Sequence, residues 1–231
     1  MPTIANDASV VVLTGAGISV ASGLAPFRGP GGLWNDHDIE KYVTASAWRQ
    51  TPEIVMEFLA SMRSTARASQ PNEAHFALAR AERARTQGAR FDVITQNIDA
   101  LHSRAGSRNV HEIHGSLEID RCEACEQQYP VDSVKRCVCG GSIRPHIVLF
   151  GEMLPEDVLM ASQRALRSCD TFVAVGTSGI VWPAAGFVLE ARAAGAHCIN
   201  VNLEPSGNPS FHEELIGPAE QILPRLFGVE V

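Results

Sequence analysis

Four short segments of the sequence carry groups that could do chemistry. The first is a glycine turn that contains Gly15 and Gly17, and the second is the polar stretch Thr95–Asp99. The third is His114, which precedes a glycine, and the fourth is a set of closely spaced cysteines within residues 122–139. Together they indicate a bound dinucleotide, a polar loop at its ribose, a proton acceptor and a separate metal site. An ordinary globular domain does not need all four.

The glycine turn directly follows the apolar run Val10–Leu13. Glycine at such a point lets the backbone turn sharply and approach a phosphate. The next residues are expected to begin a helix whose N-terminal amides favour an anion. The dehydrogenase fingerprint G-x-G-x-x-G would need a third glycine where Val20 stands. An ordinary strand-to-helix turn is therefore the alternative.

The polar stretch follows a second apolar run, Phe91–Thr95, and ligands bind at the carboxyl ends of strands in open α/β sheets. Gln96, Asn97 and Asp99 offer amide and carboxylate groups that can bind a ribose hydroxyl or a carboxamide. The alternative is a turn that caps the next helix.

His114 lies in the segment HEIHGS and can accept a proton near neutral pH. Because the next residue is Gly115, little side-chain bulk crowds the His114 ring on that side. His111 and the other six histidines are interpreted as structural residues.

The cysteines form the pairs Cys122-x-x-Cys125 and Cys137-x-Cys139. Four thiolates around one ion form a closed tetrahedral site, which suits structural zinc. The second pair is one residue tighter than usual, and Gly140 and Gly141 could help the chain wrap the ion. A redox pair, or a site without metal, is the alternative. Cys169 and Cys198 are expected to be small core residues.

Four apolar runs predict buried parallel strands, because a sheet covered on both faces needs continuous apolarity. They are Val10–Leu13, Phe91–Thr95, Thr171–Val175 and Cys198–Val201. The stretches between them predict helices over Pro52–Arg67, Asn72–Arg85, Pro155–Arg167 and Pro183–Ala194. This alternation indicates an α/β fold with a doubly wound parallel sheet. Two segments without that alternation are expected to form a smaller domain, with a cleft between it and the sheet.

The chain has 231 residues and a formal net charge of -7, which argues against a general nucleic-acid binder and leaves room for a basic peptide. No apolar run approaches the length of about 18–20 residues that a membrane span requires. The N-terminal residues lack the basic start and apolar stretch of a signal peptide. We therefore expect a cytoplasmic protein.

The motifs, in this order, resemble the sirtuins, the NAD-dependent protein deacylases, and most closely their small bacterial and archaeal members. The resemblance runs from about residue 10 to residue 226. It rests on the motifs GAGIS, PFR (Pro26–Arg28), GLW (Gly32–Trp34), PNEAH (Pro71–His75), TQNIDALH, HGS, the cysteine pairs, RPHIVLFGE (Arg144–Glu152), GTS (Gly176–Ser178), NLEP (Asn202–Pro205) and GPA (Gly217–Ala219).

The family implies a Rossmann-like NAD-binding domain and a smaller domain built from a helical module and a zinc module. We place the NAD-binding domain at residues 1–28, 86–113 and 145–231. The helical module is placed at 29–85 and the zinc-binding module at 114–144.

The resemblance also implies residue roles. NAD would be consumed as a co-substrate, with one structural zinc ion on the four cysteines and with His114 and Asn97 in catalysis. The phosphate and nicotinamide side would be bound by Gly15, Ala16, Gly17, Ser19, Phe27 and Arg28. The ribose and carboxamide would be bound by Gln96, Asn97, Ile98 and Asp99, and the adenosine half by Gly176, Thr177, Ser178, Asn202, Leu203, Glu204 and Ala219. Substrate would contact Leu59, Met62, Val148, Phe150, Gly151 and Glu152, with the peptide added as a strand along 148–152.

The implied reaction removes an acyl group from a protein lysine and yields free lysine, nicotinamide and O-acyl-ADP-ribose, with His114 as the general base. Members that remove succinyl or malonyl groups have a Tyr and an Arg three residues apart before the PN motif; here an ungapped count places Leu59 and Met62 at those positions. Neither side chain can pair with a carboxylate, so acetyl or other neutral acyl groups are expected to be preferred. Arg63 could substitute if the helix register shifted by one residue.

The alternative functions are ADP-ribosyl transfer or NAD hydrolysis at the same site, a non-catalytic nucleotide sensor or zinc-ribbon interaction module, and a hydride-transferring dehydrogenase. The incomplete glycine fingerprint disfavours the dehydrogenase, and binding alone would need neither His114 nor Asn97. The expected partners are acyl-lysine proteins or peptides, with no specific nucleic acid, no membrane and a monomeric state.

Overall fold

A computed structural model describes residues 3–27, 32, 39–86 and 88–230. The strands are β1 Val10–Thr14, β2 Phe91–Thr95, β3 Val110–Glu112, β4 Gly115–Cys122, β5 Gln128–Pro130, β6 Ile143–Ile147, β7 Thr171–Val175, β8 His197–Asn202 and β9 Glu213–Ile216. The α-helices are α1 Glu40–Val43, α2 Ala45–Gln50, α3 Pro52–Ala68, α4 Glu73–Arg83, α5 Leu101–Ala105, α6 Glu156–Leu166, α7 Phe187–Ala193 and α8 Ala219–Leu226. Of these described helices, none has the length and apolarity that crossing a membrane requires.

The larger sheet has six parallel strands in the order β3-β2-β1-β7-β8-β9. From β1 the chain continues to β2 on one side, and it later returns to β7 on the other side. The direction of winding therefore reverses between β1 and β7. At such a reversal the connections leave in opposite directions and a crevice opens at the carboxyl ends of the strands.

Strand β1 is buried on both faces, as its continuous apolarity predicts. Val10 and Val12 pack with residues of α4 and α8 in one core cluster. Val11 and Leu13 pack with residues of α6 and α7 in a second cluster. Cys169 and Cys198 lie buried in this second cluster, as expected. The predicted fold class, a doubly wound parallel sheet with a smaller unit beside it, is confirmed.

The smaller unit contains an antiparallel sheet with the order β5-β4-β6. This sheet packs against α2 and α3 through a third apolar cluster. That cluster contains Ala47, Val55, Leu59, Ala66, Leu117, Ile147 and Leu149.

The structure differs from the sequence-based expectation in several places, among them strands β4, β5 and β6, for which the sequence predicts no strand. Strands β3 and β9 are absent from the prediction because they are only 3 and 4 residues long and half-exposed. The helix expected after β1 is present as a 3-10 helix, Ala16–Ser22. Helix α4 packs on the large sheet with α8, although the proposed boundaries group it with the helical module.

Candidate active site and metal centre

The glycine turn after β1 lies against the loop that follows β7. The amide of Gly17 donates to the carbonyl oxygen of Gly176 at 2.9 Å, and the amide of Gly15 donates to that of Val175 at 3.0 Å. A Cβ atom on Gly17 would lie 2.6 Å from the Cα of Gly176. Glycine is therefore required by the close approach of two backbones, and the Gly17 amide is already bonded to Gly176. Ala16, between the two glycines, is half-buried.

The polar stretch after β2 closes on this turn through side chains. Asn97 donates from Nδ2 to the carbonyl oxygen of Gly15 at 3.1 Å and to Ser19 Oγ at 3.3 Å. Ser19 in turn donates to Asp99 Oδ2 at 2.7 Å. Burial raises the pKa of the Asp99 carboxyl, and hydrogen bonds from Leu101 and Ser19 oppose that rise. Ser19, Asn97 and Asp99 thus form one network at the crevice.

His75, interpreted from sequence as a structural residue, belongs to the same network. Its Nδ1 accepts from the amide of Asn72 at 3.3 Å, within the capping box of α4. The hydrogen must then be on Nε2, which lies 3.5 Å from Ser19 Oγ. Burial lowers the pKa of His75 to about 4, so the ring is neutral at pH 7. The capping pattern Asn72-x-x-His75 and the motif PNEAH were the signals in the sequence, and neither reveals a partner that is 56 residues away.

His114 lies immediately before β4, and Ile113 before it is fully buried. Its Nδ1 is 2.9 Å from the carbonyl oxygen of Gln96. A carbonyl only accepts, so Nδ1 carries the hydrogen and Nε2 keeps its lone pair. Burial lowers the pKa of His114, although the bond to Gln96 partly opposes this. The imidazole is therefore held in the form that can accept a proton at Nε2.

The residues predicted for the adenosine half lie at the ends of β7 and β8. Gln96 donates to Thr177 Oγ1 at 2.9 Å, and Asn202 donates to the Thr177 carbonyl oxygen at 3.0 Å. Ser178, Leu203 and Glu204 are exposed, and Ala219 is the buried first residue of α8. The loops after β2, β7 and β8 are thereby joined along one side of the crevice.

Phe27 and Phe150 lie next to each other, with ring centroids 6.1 Å apart. Ile98, in the polar stretch, packs against the third apolar cluster. Arg28 lies outside the described residues.

The two residues predicted to contact an acyl group meet in that third cluster. Leu59 is 1% exposed, and Met62 is half-buried beside it. Arg63 faces elsewhere, because its Nε donates to the Leu117 carbonyl oxygen at 2.7 Å and its second nitrogen pairs with Asp120 at 2.9 Å. It is not available to bind an acyl carboxylate, so the register-shift alternative finds no support.

The segment 148–152 is expected to pair with a peptide, but some of its backbone groups are already hydrogen-bonded within the protein. The amide of Phe150 donates to the Val43 carbonyl oxygen, and its own carbonyl oxygen accepts from the Ala45 amide. Glu152 binds Arg144 at 2.6 Å and accepts from the Leu149 amide at 2.9 Å, which closes the loop around Gly151. The amide of Val148 donates to the carbonyl oxygen of His114. A peptide strand would therefore have to pair with backbone groups other than those of Phe150.

A half-buried acid next to Asp99, Glu112, is absent from the sequence-based list. Burial raises the pKa of Glu112 to about 7, and the negative charges of Asp99 and Glu118 raise it further, while Ser116 opposes the rise. His111, its neighbour on β3, pairs with Asp92 at 2.9 Å, which agrees with a structural interpretation. No pattern in the sequence indicates that the pKa of Glu112 is raised or that His111 pairs with Asp92.

The four cysteines converge in the smaller unit. Their sulfur atoms all lie within 4.8 Å of one another, and the Cys122–Cys139 and Cys125–Cys137 sulfur pairs are each 3.5 Å apart. Four sulfurs at 2.3 Å from a tetrahedral zinc ion would be about 3.8 Å apart. The set therefore fits one zinc ion.

Two features support the wrapping of the chain around that ion. A Cβ atom on Gly141 would lie 2.6 Å from Cys122 Sγ, so the tight second pair requires glycine there. The hydroxyl of Tyr129 lies 3.0 Å from Cys137 Sγ. Outer contacts of this kind orient metal ligands.

The comparisons with known proteins agree with this geometry. Residues 15–183 match the profile of the Sir2 family. The chain is 43% identical over 236 residues to the NAD-dependent protein deacylase of Salmonella typhimurium, covering 97% of this chain and 84% of that protein.

This chain belongs to the Sir2 family. It is also 46% identical over 228 residues to the NAD-dependent protein deacylase of Vibrio cholerae, covering 94% of this sirtuin and 91% of that protein. A solved Sir2 homolog–NAD complex superimposes with a TM-score of 0.86 at 37% identity, covering 96% of this sirtuin and 90% of that chain. The recognition made from the ordered motifs is confirmed.

We expect the purified sirtuin to contain about one zinc ion per chain. Replacing Cys137 with Ser should abolish most of this zinc and lower the melting temperature, because binding energy in a structural zinc site is folding energy. Cys198→Ala, outside the cluster, is the matched control and should keep the zinc. Zinc is measured by atomic emission after gel filtration, and full zinc content in the Cys137 variant would contradict the assignment.

Proposed function

We propose that this sirtuin is an NAD-dependent protein-lysine deacylase that releases nicotinamide, O-acyl-ADP-ribose and free lysine. The observation that carries the proposal is the tautomer of His114, fixed by the Gln96 carbonyl so that Nε2 can take a proton. The names of the relatives at 43% and 46% identity support the same reaction.

NAD, when bound, supplies a ribose carbon that already carries its leaving group, nicotinamide. The chain then has three tasks. The network of Ser19, Asn97 and Asp99 orients the ribose and carboxamide, since its internal hydrogen bonds hold a side-chain amide and a carboxylate in one fixed arrangement. His114 takes a proton from a ribose hydroxyl at Nε2. The third apolar cluster holds the acyl chain and excludes water.

The proposal is tested by incubating the protein with NAD and acyl-lysine peptides and weighing the products. We expect equal amounts of nicotinamide, free lysine peptide and O-acyl-ADP-ribose. His114→Tyr should retain NAD binding by calorimetry while turnover falls by about 100-fold or more, the usual range for loss of a general base. ADP-ribosylated peptide, or free ADP-ribose without deacylation, would instead identify the alternative transferase or hydrolase activity.

We further propose that the enzyme prefers neutral acyl groups. Leu59 and Met62 lie together in an apolar cluster, and the nearby guanidinium of Arg63 is already paired. A succinyl carboxylate placed there would lose water without gaining a partner, which is costly.

For this preference we expect kcat/KM on acetyl-lysine and longer apolar acyl-lysine peptides to exceed that on succinyl-lysine by about 10- to 100-fold, the cost of one missing charged hydrogen bond. The double variant Leu59→Tyr, Met62→Arg should raise succinyl removal by a comparable factor, since a hydroxyl and a bidentate cation can then bind the carboxylate. The single variant Met56→Arg, on the exposed part of α3, is the control and should not. Faster succinyl removal by the unaltered enzyme would refute the preference.

The protonation of His114 predicts a pH dependence. Because burial lowers its pKa below 6.5, the ring is neutral at pH 7, and base function is lost only as pH falls through the lowered pKa. Titration of the ring C2 proton by NMR, assigned with His114→Gln, should give a midpoint below 6.5. A midpoint above 6.5 would show that the ring is protonated more readily than its surroundings predict.

A further inference from the structure

Strand β4 leaves its ladder with β6 in the middle of its length. Ser116 pairs with His146, and the next paired residue, Asp120, faces Pro145, so residues 117–119 have no partner in β6. Buried backbone groups that leave a sheet must find other hydrogen-bond partners. The backbone of Leu117, which is 2% exposed, therefore needs them.

Those partners come from two different parts of the molecule. The amide of Leu117 donates to the carbonyl oxygen of Ile98 at 3.0 Å, in the polar loop that follows β2. The carbonyl oxygen of Leu117 accepts from Arg63 Nε at 2.7 Å, on α3. The Leu117 side chain packs with Leu59 in the third apolar cluster. One residue thus joins the loop beside the crevice to the helix that carries Leu59 and Met62.

Burying the charged side chain of Arg63 at this position costs free energy, because the guanidinium loses its contact with water. Arg63 is 9% exposed, and its charge is balanced by Asp120, whose other oxygen accepts from the Asp132 amide at 3.0 Å. A buried ion pair contributes little net stability compared with apolar residues, because both charges lose water. Its geometry, however, is fixed by three directed hydrogen bonds. The arrangement is therefore better suited to setting positions than to adding stability.

We propose that Arg63 is a positioning residue which, through the backbone of Leu117, sets the placement of the acyl-lysine pocket relative to the loop 95–99. It contacts neither substrate nor the reacting atoms. The part that concerns the acyl pocket rests on the proposed deacylase function, whereas the part that concerns the loop does not.

The test separates the Arg63–Leu117 bond from the Arg63–Asp120 charge pair. Asp120→Asn removes the buried carboxylate but leaves Arg63 bonded to Leu117, and the double variant Arg63→Met, Asp120→Asn removes both buried charges and the bond. We expect the double variant to raise the NAD Kd by calorimetry and the KM for acyl peptide by about tenfold or more, the scale of one unsatisfied buried carbonyl. With Asp120→Asn alone, both should stay within about twofold of the unaltered enzyme.

Arg67→Met is the matched surface control. Arg67 lies one turn further along α3 and binds the side chain of Glu118 on the same strand at 2.8 Å, but both residues are exposed. Exposed pairs contribute about 0–1 kcal/mol. This variant should therefore leave NAD affinity and peptide KM unchanged.

The proposal is overturned if the double variant folds, keeps its zinc and matches Asp120→Asn in both NAD Kd and peptide KM. If the double variant does not fold, Arg63→Lys takes its place, because a lysine cannot reach both Leu117 and Asp120 with the geometry of a guanidinium. Arg63→Lys should then raise NAD Kd and peptide KM by severalfold, and unaltered values would equally overturn the proposal. If the unaltered enzyme removes no acyl group at all, the deacylase function fails, and the NAD Kd comparison still decides the role of Arg63.

Discussion

The contact between the turns after β1 and β7 is the constraint on which the crevice depends. Gly17 and Gly176 meet backbone to backbone, where a single methyl group on either would overlap the other. This contact brings the carboxyl ends of two strands together at the point where the sheet reverses its winding. The amides of Gly15 and Gly17 donate to carbonyl oxygens of Val175 and Gly176 across this contact.

The side chains at the strand ends form hydrogen bonds around this contact. Asn97 satisfies the carbonyl of Gly15, and Ser19 lies between Asp99 and His75. Each of these groups is partly or fully removed from water, so its hydrogen bonds hold it in one orientation. His114 shows the same principle, because one ring nitrogen is spent on a backbone carbonyl and the other is thereby left basic. A preorganised polar surface results.

The smaller unit contributes through its packing against α3. The cysteine cluster fixes one end of the antiparallel sheet, and the interrupted ladder of β4 directs the Leu117 backbone toward two other elements. Ile98 and Leu59 meet in the same apolar cluster. Helix α3 and the polar loop are therefore joined by hydrogen bonds to a shared piece of backbone, that of Leu117.

The residue pattern alone determined the central strands, since a sheet covered on both faces demands unbroken apolar runs such as Val10–Leu13. It also determined the four-cysteine set, because spacing and residue type suffice for that. It singled out His114 only with the help of the family resemblance, and the catalytic role of that residue stays a prediction. It could not find β3 and β9, which are too short to show a period, nor the edge at Phe150, which is occupied by backbone from α1 and α2.

Only the tertiary structure decided which histidine meets Ser19 and where the guanidinium of Arg63 points. Both contacts join residues more than 50 positions apart, at 56 and 54 residues. Local sequence specifies conformation through short-range sterics and apolar periodicity. The partner of a buried polar group is specified only when the whole chain has packed and removed the water that would otherwise satisfy it.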